Sequence, residues 1–173
     1  MFDHSPSTTL DTTLVTVAPR ADWKADLVRG DIVAFRFPTR DGTGAPKARP
    51  CLVIEVEMVG DTQLVTLAYG TSAPRGSDRR YEIRVDRDGE PEASGLNRPT
   101  RFQCALRLTV STESGGFVLR PTLRSPVIGR LIPRRIATMN SVRGRLHAEA
   151  DIAAERRAER RRELMHDRPA LAA

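Results

Sequence analysis

The stretch "KARPCLVIEV", residues 47–56, sets two cations, Lys47 and Arg49, at the mouth of an apolar run. A guanidinium presents a planar fork that gives a phosphate two hydrogen bonds at once. Pro50 fixes the backbone just after Arg49, so the side chain can be held rigidly at a strand rim. Only Lys24 and Lys47 are lysines among the 28 cations of the chain. With a net charge of +6 and a pI near 10.3, this arginine bias favours an anionic partner and is compatible with nucleic acid. Other chemistries find little support. The three histidines, His4, His147 and His166, all lie outside the strand-rich middle of the sequence, which argues against a histidine-pair mechanism. Asp and Glu are scattered, and Cys51 and Cys104 stand far apart in strand-like runs, so neither a metal site nor a cofactor is expected.

The elements that must position Arg49 read as short strands. The 173 residues suffice for one compact domain with extensions. No apolar run approaches the roughly 18 residues of a membrane span. The N-terminus also lacks the basic-then-apolar layout of a signal peptide, so a cytoplasmic protein with free core thiols is expected. Residues 1–27, rich in Ser and Thr, read as a flexible arm, with a docked segment placed at 14–17. In "DIVAFRFP", Val33, Phe35 and Phe37 alternate with Ala34 and Arg36, a half-buried strand. In "CLVIEVE", Leu52, Ile54 and Val56 are assigned one face, with Glu55 and Glu57 opposite. "QLVTLAY" and "RYEIRV" follow as strands, and in "RFQCALRLTV" Phe102, Cys104, Leu106, Leu108 and Val110 are assigned one face. "DRDGEPEASGLNRPT" reads as loop, and "GGFVLRPT" as a short additional strand. Five or six strands ahead of any long helix predict a small antiparallel barrel or sheet. A helix is expected from Pro133, with Ile136, Met139, Val142 and Leu146 packed on the sheet. A second, charged helix is expected over 147–165.

These motifs, in this order, resemble the MazF/PemK family of toxins. "RGDIVAFRFP", then "ARPCLVIEV", then a strand ending in "YGTS", is similar to the family's opening. "GLNRPTRFQCALRLTV" and "IGRLIPRRIATM" are similar to its later segments. The resemblance spans about residues 28–146 and implies an SH3-like barrel with a packed helix. Residues 1–27 and 147–173 stand outside it as the arm and a charged helix with tail. It further implies a homodimer, a cognate antitoxin as partner, and metal-independent cleavage of single-stranded RNA. By motif position the family's catalytic arginine falls on Arg49 and its threonine on Thr71, with Ser72 beside it. Two departures stand out. Ala48 separates the two cations that the family often carries side by side, and residues 111–127 form an insertion.

Cleavage by a 2′-hydroxyl needs negative charge stabilised on a phosphorane, a task suited to a fixed arginine with hydroxyls as orienting groups. Lys47, Arg75, Arg79 and Arg80 flank the loops at the expected rim and are candidates for binding RNA backbone. Tyr69 is the aromatic residue suited to base stacking. Each signal has a plainer reading. Arg-Pro before a strand also serves as loop punctuation, Thr-Ser after glycine as a turn, and the Arg/Glu run over 155–163 as a solvated face. The rival function is a non-catalytic SH3-like barrel whose basic rim binds nucleic acid or a protein partner.

Overall fold

The computed structural model describes residues 22–38, 46–73 and 78–166. Six antiparallel strands form one curled sheet in the order β4-β5-β3-β2-β1-β6. They are β1 (Asp31–Arg36), β2 (Ala48–Val59), β3 (Thr62–Thr71), β4 (Glu82–Val85), β5 (Thr100–Ser111) and β6 (Val127–Arg130). A single-turn helix α1 (Glu90–Ala93) precedes β5, and a long helix α2 (Pro133–His166) ends the described chain. A mainly-β, curled antiparallel half-barrel with a packed C-terminal helix is therefore the observed architecture.

The central strands are buried on both faces. Ile32, Leu52, Ile83, Phe102 and Cys104 pack with Met139, Val142 and Leu146 of α2 on one side. Val33, Phe35, Cys51, Val53, Val65 and Leu67 build a second core with Trp23, Leu27 and Phe117 on the other. Trp23 and Leu27, in the stretch ahead of β1, thus pack into this second core. The docked segment assigned to 14–17 lies outside the described residues.

Two register shifts overturn the simple alternation read from the sequence. One lies between Val53 and Glu55 in the pairing of β2 with β3. It leaves Leu52 and Ile54 in the helix-side core and turns Val56 toward the opposite one. The other lies where Ala68 pairs with Arg107 but Tyr69 pairs with Gln103, so β5 carries extra residues. Phe102 and Cys104 therefore face α2, whereas Leu106, Leu108 and Val110 face the second core. Bulges of this kind bend a strand and increase its twist, which is what curls the sheet.

The two expected helices are one. Nothing between Leu146 and His147 stops a helix, and Gly144 weakens it by only about 1 kcal/mol relative to alanine. At 34 residues and about 1.5 Å per residue, α2 is about 51 Å long. Its buried side chains end at Leu146, and nearly all of the described positions beyond are exposed. The extra strand expected at "GGFVLRPT" reduces to two isolated bridges, Phe35–Phe117 and Arg120–Ser125. The sixth strand is instead β6, within what reads in sequence as the lead-in to α2.

Candidate functional site

Arg49 lies in the first turn of ladder between β2 and β1, paired with Phe35, and Pro50 pairs with Ala34. Across β2 the next strand arrives unusually close. A Cβ on Gly70 would overlap the carbonyl oxygen of Pro50, so only glycine lets the backbones meet there. That approach sets Thr71, the last residue of β3, beside Arg49. Thr71 Oγ1 accepts a hydrogen bond from the Ala73 N–H at 3.2 Å. Its own hydroxyl proton is thereby left to donate elsewhere.

The segment after Thr71 is held from below. Arg101, paired with Thr71 across β3 and β5, is buried and forms an ion pair with buried Glu82. The same guanidinium donates to the Ala73 carbonyl from Nε at 3.0 Å and from Nη2 at 2.7 Å.

The opposite wall is the turn after α1. Gly95 adopts a φ of 74°, and a Cβ there would strike the carbonyl of Ile128 in β6. The turn can therefore lie directly on the β6 backbone, which carries Asn97 and Arg98 to the cleft opposite Arg49. Glu90 fixes α1 to α2 by accepting from Arg135 Nη2 at 2.7 Å and pairing with Arg134.

Together these walls enclose a cleft of about 470 Å³ lined by Arg49, Thr71, Ser72, Asn97, Arg98 and Arg120, among others. Three arginines line it, and among the described residues no Asp, Glu or His does. A cleft lined by one sign of charge concentrates oppositely charged ligands. Arg49 is backed by an aromatic face, its guanidinium carbon 5.5 Å from the Tyr69 ring centroid. The Tyr69 ring meets Phe37 edge-on at 5.3 Å. Tyr69 therefore steadies Arg49 and is not among the cleft-lining groups. Burial pushes the Cys51 thiol up to about 12, although a hydrogen bond with the Gly70 backbone and the Arg49 charge pull it down. Cys51 is consequently protonated at neutral pH and unsuited to act as a nucleophile.

Of the residues singled out in the sequence, Arg49, Thr71 and Ser72 meet in this cleft. Lys47 is exposed just ahead of β2 and is not part of the lining. Arg79 and Arg80 also lie outside it. Arg80 is engaged by Asp78, with Nε–Oδ2 at 2.9 Å, and sits 5.5 Å over the Tyr81 ring. Arg75 lies outside the described residues. Sequence reasoning missed Asn97, Arg98 and Arg120, because "GLNRPT" and the 111–127 insertion carry no pattern that marks a site. His147 sits on α2, its Nε2 2.8 Å from Glu55 Oε1, and is not a cleft residue. Among the described residues, no group of three or more His, Cys, Asp and Glu is arranged to hold a metal ion.

Residues 28–139 match the family described as PemK-like, MazF-like toxins of type II toxin–antitoxin systems. The chain belongs to this family. Solved structures that are similar to this PemK/MazF-like chain include one described as a crystal structure of an Mtb toxin. That protein is 20% identical with a TM-score of 0.43, and the match covers 66% of this chain and 97% of the other. No curated protein matches. Membership of a type II toxin family implies an antitoxin as partner. No helix among the described residues is long and apolar enough to cross a membrane.

Proposed function

We propose that this PemK/MazF-like chain is a toxin that cleaves single-stranded RNA in the arginine cleft, without a metal ion. The observation that carries this reading is the meeting of Arg49 and Thr71 in a cleft whose described lining has three arginines and no acidic residue. In the reaction a ribose 2′-oxygen loses its proton and attacks the adjacent phosphorus. The P–O5′ bond then breaks, leaving a 2′,3′-cyclic phosphate and a 5′-hydroxyl that takes up a proton. Negative charge peaks on the non-bridging oxygens of the phosphorane between these events. Arg49 supplies two parallel N–H donors to those oxygens, and the Thr71 hydroxyl supplies a third. With no imidazole or carboxylate among the described lining residues, the cleft contributes charge stabilisation and positioning. A homodimer, a cognate antitoxin and action in the cytoplasm complete the reading.

Purified protein incubated with labelled single-stranded RNA in the presence of a chelator tests it. Cleavage that persists with chelator and is abolished in a folded Arg49→Ala variant is the expected result. Binding without cutting overturns the enzymatic reading in favour of a non-catalytic nucleic-acid-binding barrel. Light scattering of the purified chain tests the dimer.

A further inference from the structure

The segment between β5 and β6 is braced along its length. The Arg36 N–H donates to the Gly116 carbonyl at 2.8 Å, the Val118 N–H to Ala34 at 2.9 Å, and the Ala34 N–H to Pro126 at 2.8 Å. Phe117 packs against both Phe35 and Trp23, with ring centroids 5.0 Å apart in each pair. At the tip the chain folds back, with the Arg120 N–H donating to Ser125 at 3.0 Å and the Arg124 N–H to Arg120 at 2.8 Å. Arg120 is thus presented to the cleft from an element anchored on β1. Arg98 reaches the same cleft from the turn that Gly95 seats against β6. Among the described residues neither Arg98 nor Arg120 pairs with a carboxylate, and both are exposed.

We infer that Arg98 and Arg120 form a second phosphate subsite, which holds the phosphate next to the one at Arg49 on the same RNA strand. The inference rests on the ribonuclease reading above. Two arginines brought into a cleft with no acidic residue among its described lining repel each other and Arg49 until an anion enters, and each offers the bidentate fork that suits a phosphate. A neighbouring phosphate undergoes no change in charge during the reaction. The subsite therefore strengthens substrate and transition state alike, and appears in KM and not in kcat.

The test uses a fully 2′-O-methylated RNA oligonucleotide, which cannot be cut, titrated by fluorescence anisotropy over a range of KCl concentrations. Arg98→Gln and Arg120→Gln are each expected to weaken binding several-fold and to lower the salt slope by about 0.7, the value for one single-strand phosphate contact. On unmodified RNA both variants are expected to raise KM with kcat held within about twofold. Arg124→Gln removes the same charge from the same turn outside the cleft and is expected to leave the slope unchanged. Unchanged slopes in both cleft variants, with wild-type cleavage intact, overturn the subsite alone. A wild-type chain that neither binds nor cuts RNA overturns the subsite and the ribonuclease reading together. An oligoglutamate peptide whose binding depends on Arg98 and Arg120, while RNA binding does not, overturns the subsite in favour of an acidic protein segment.

Discussion

The guanidinium of Arg101 grips the carbonyl oxygen of Ala73 with two donors, from Nε at 3.0 Å and Nη2 at 2.7 Å. The same Ala73 donates its N–H to Thr71 Oγ1 at 3.2 Å. A buried ion pair with Glu82 therefore reaches, through one backbone residue, to the hydroxyl that faces the cleft. Arg101 positions the site without lining it.

That relationship separates stability from activity. Arg101→Ala leaves Glu82 charged and buried without this partner, and is expected to destabilise the fold by about 3–5 kcal/mol in urea unfolding. Arg101→Lys keeps a cation for Glu82 but cannot present the planar fork to Ala73. It is expected to fold and to show a lower kcat on RNA with KM little changed. A kcat equal to wild type would show that the Ala73 contact does not set the position of Thr71.

Thr71→Val removes the hydroxyl at nearly constant volume. Loss of one oxyanion donor is worth about 2.7–4 kcal/mol, or ~10²–10³ in kcat. Thr71→Ser retains the oxygen and is expected to keep most of the activity. Single-turnover cleavage of labelled RNA by the two variants makes the comparison, and equal rates would remove Thr71 from the chemistry.

Glu90 makes the cleft wall sensitive to acid. Its hydrogen bonds with Arg135 outweigh burial, and with further help from the Arg87 backbone N–H and Arg134 they lower its pKa from 4.5 to about 2. A carboxyl lowered in the folded state adds stability that is fully present above its unfolded pKa and is lost as pH falls through the folded one. Melting temperature is therefore expected to drop as pH falls from about 4.5 toward 2, over the range Glu90 spans between its two states. Glu90→Gln should be less stable at pH 7 and should show a flatter profile across that window. Parallel profiles for the two proteins would mean that other carboxyls dominate.

Ser94 is fully buried, and its Oγ is the one buried side-chain polar atom without a hydrogen-bond partner among the described residues. An unsatisfied buried hydroxyl costs about 1–3 kcal/mol of desolvation. Ser94→Ala is expected to be neutral or to stabilise the fold by up to about 1 kcal/mol, visible as a higher melting temperature. A clear loss of stability would show that the hydroxyl is satisfied in solution.

Local pattern carried much of this protein. The strand runs, the start of α2 at Pro133, the packing of Met139, Val142 and Leu146, and the order of motifs marking the family are all properties of neighbouring residues. So is the pairing of Arg49 with a proline at a strand mouth. Alternation fixes which side chains share a face only while the ladder is regular. Two register shifts, set by how β2, β3 and β5 fit one another, moved Val56, Leu106, Leu108 and Val110 to the other core. The cleft is nonlocal in the same way. Arg49, Arg98 and Arg120 are dispersed in sequence and meet only because Gly70 and Gly95 let backbones approach and because Phe117 docks on Phe35. Residue type and spacing determined most of the strands, the start of α2 and the place of Arg49 at a strand mouth. Backbone contacts between distant segments decided which other cations stand beside it, since such contacts depend on how the curled sheet brings those segments together and leave no periodic trace in the chain.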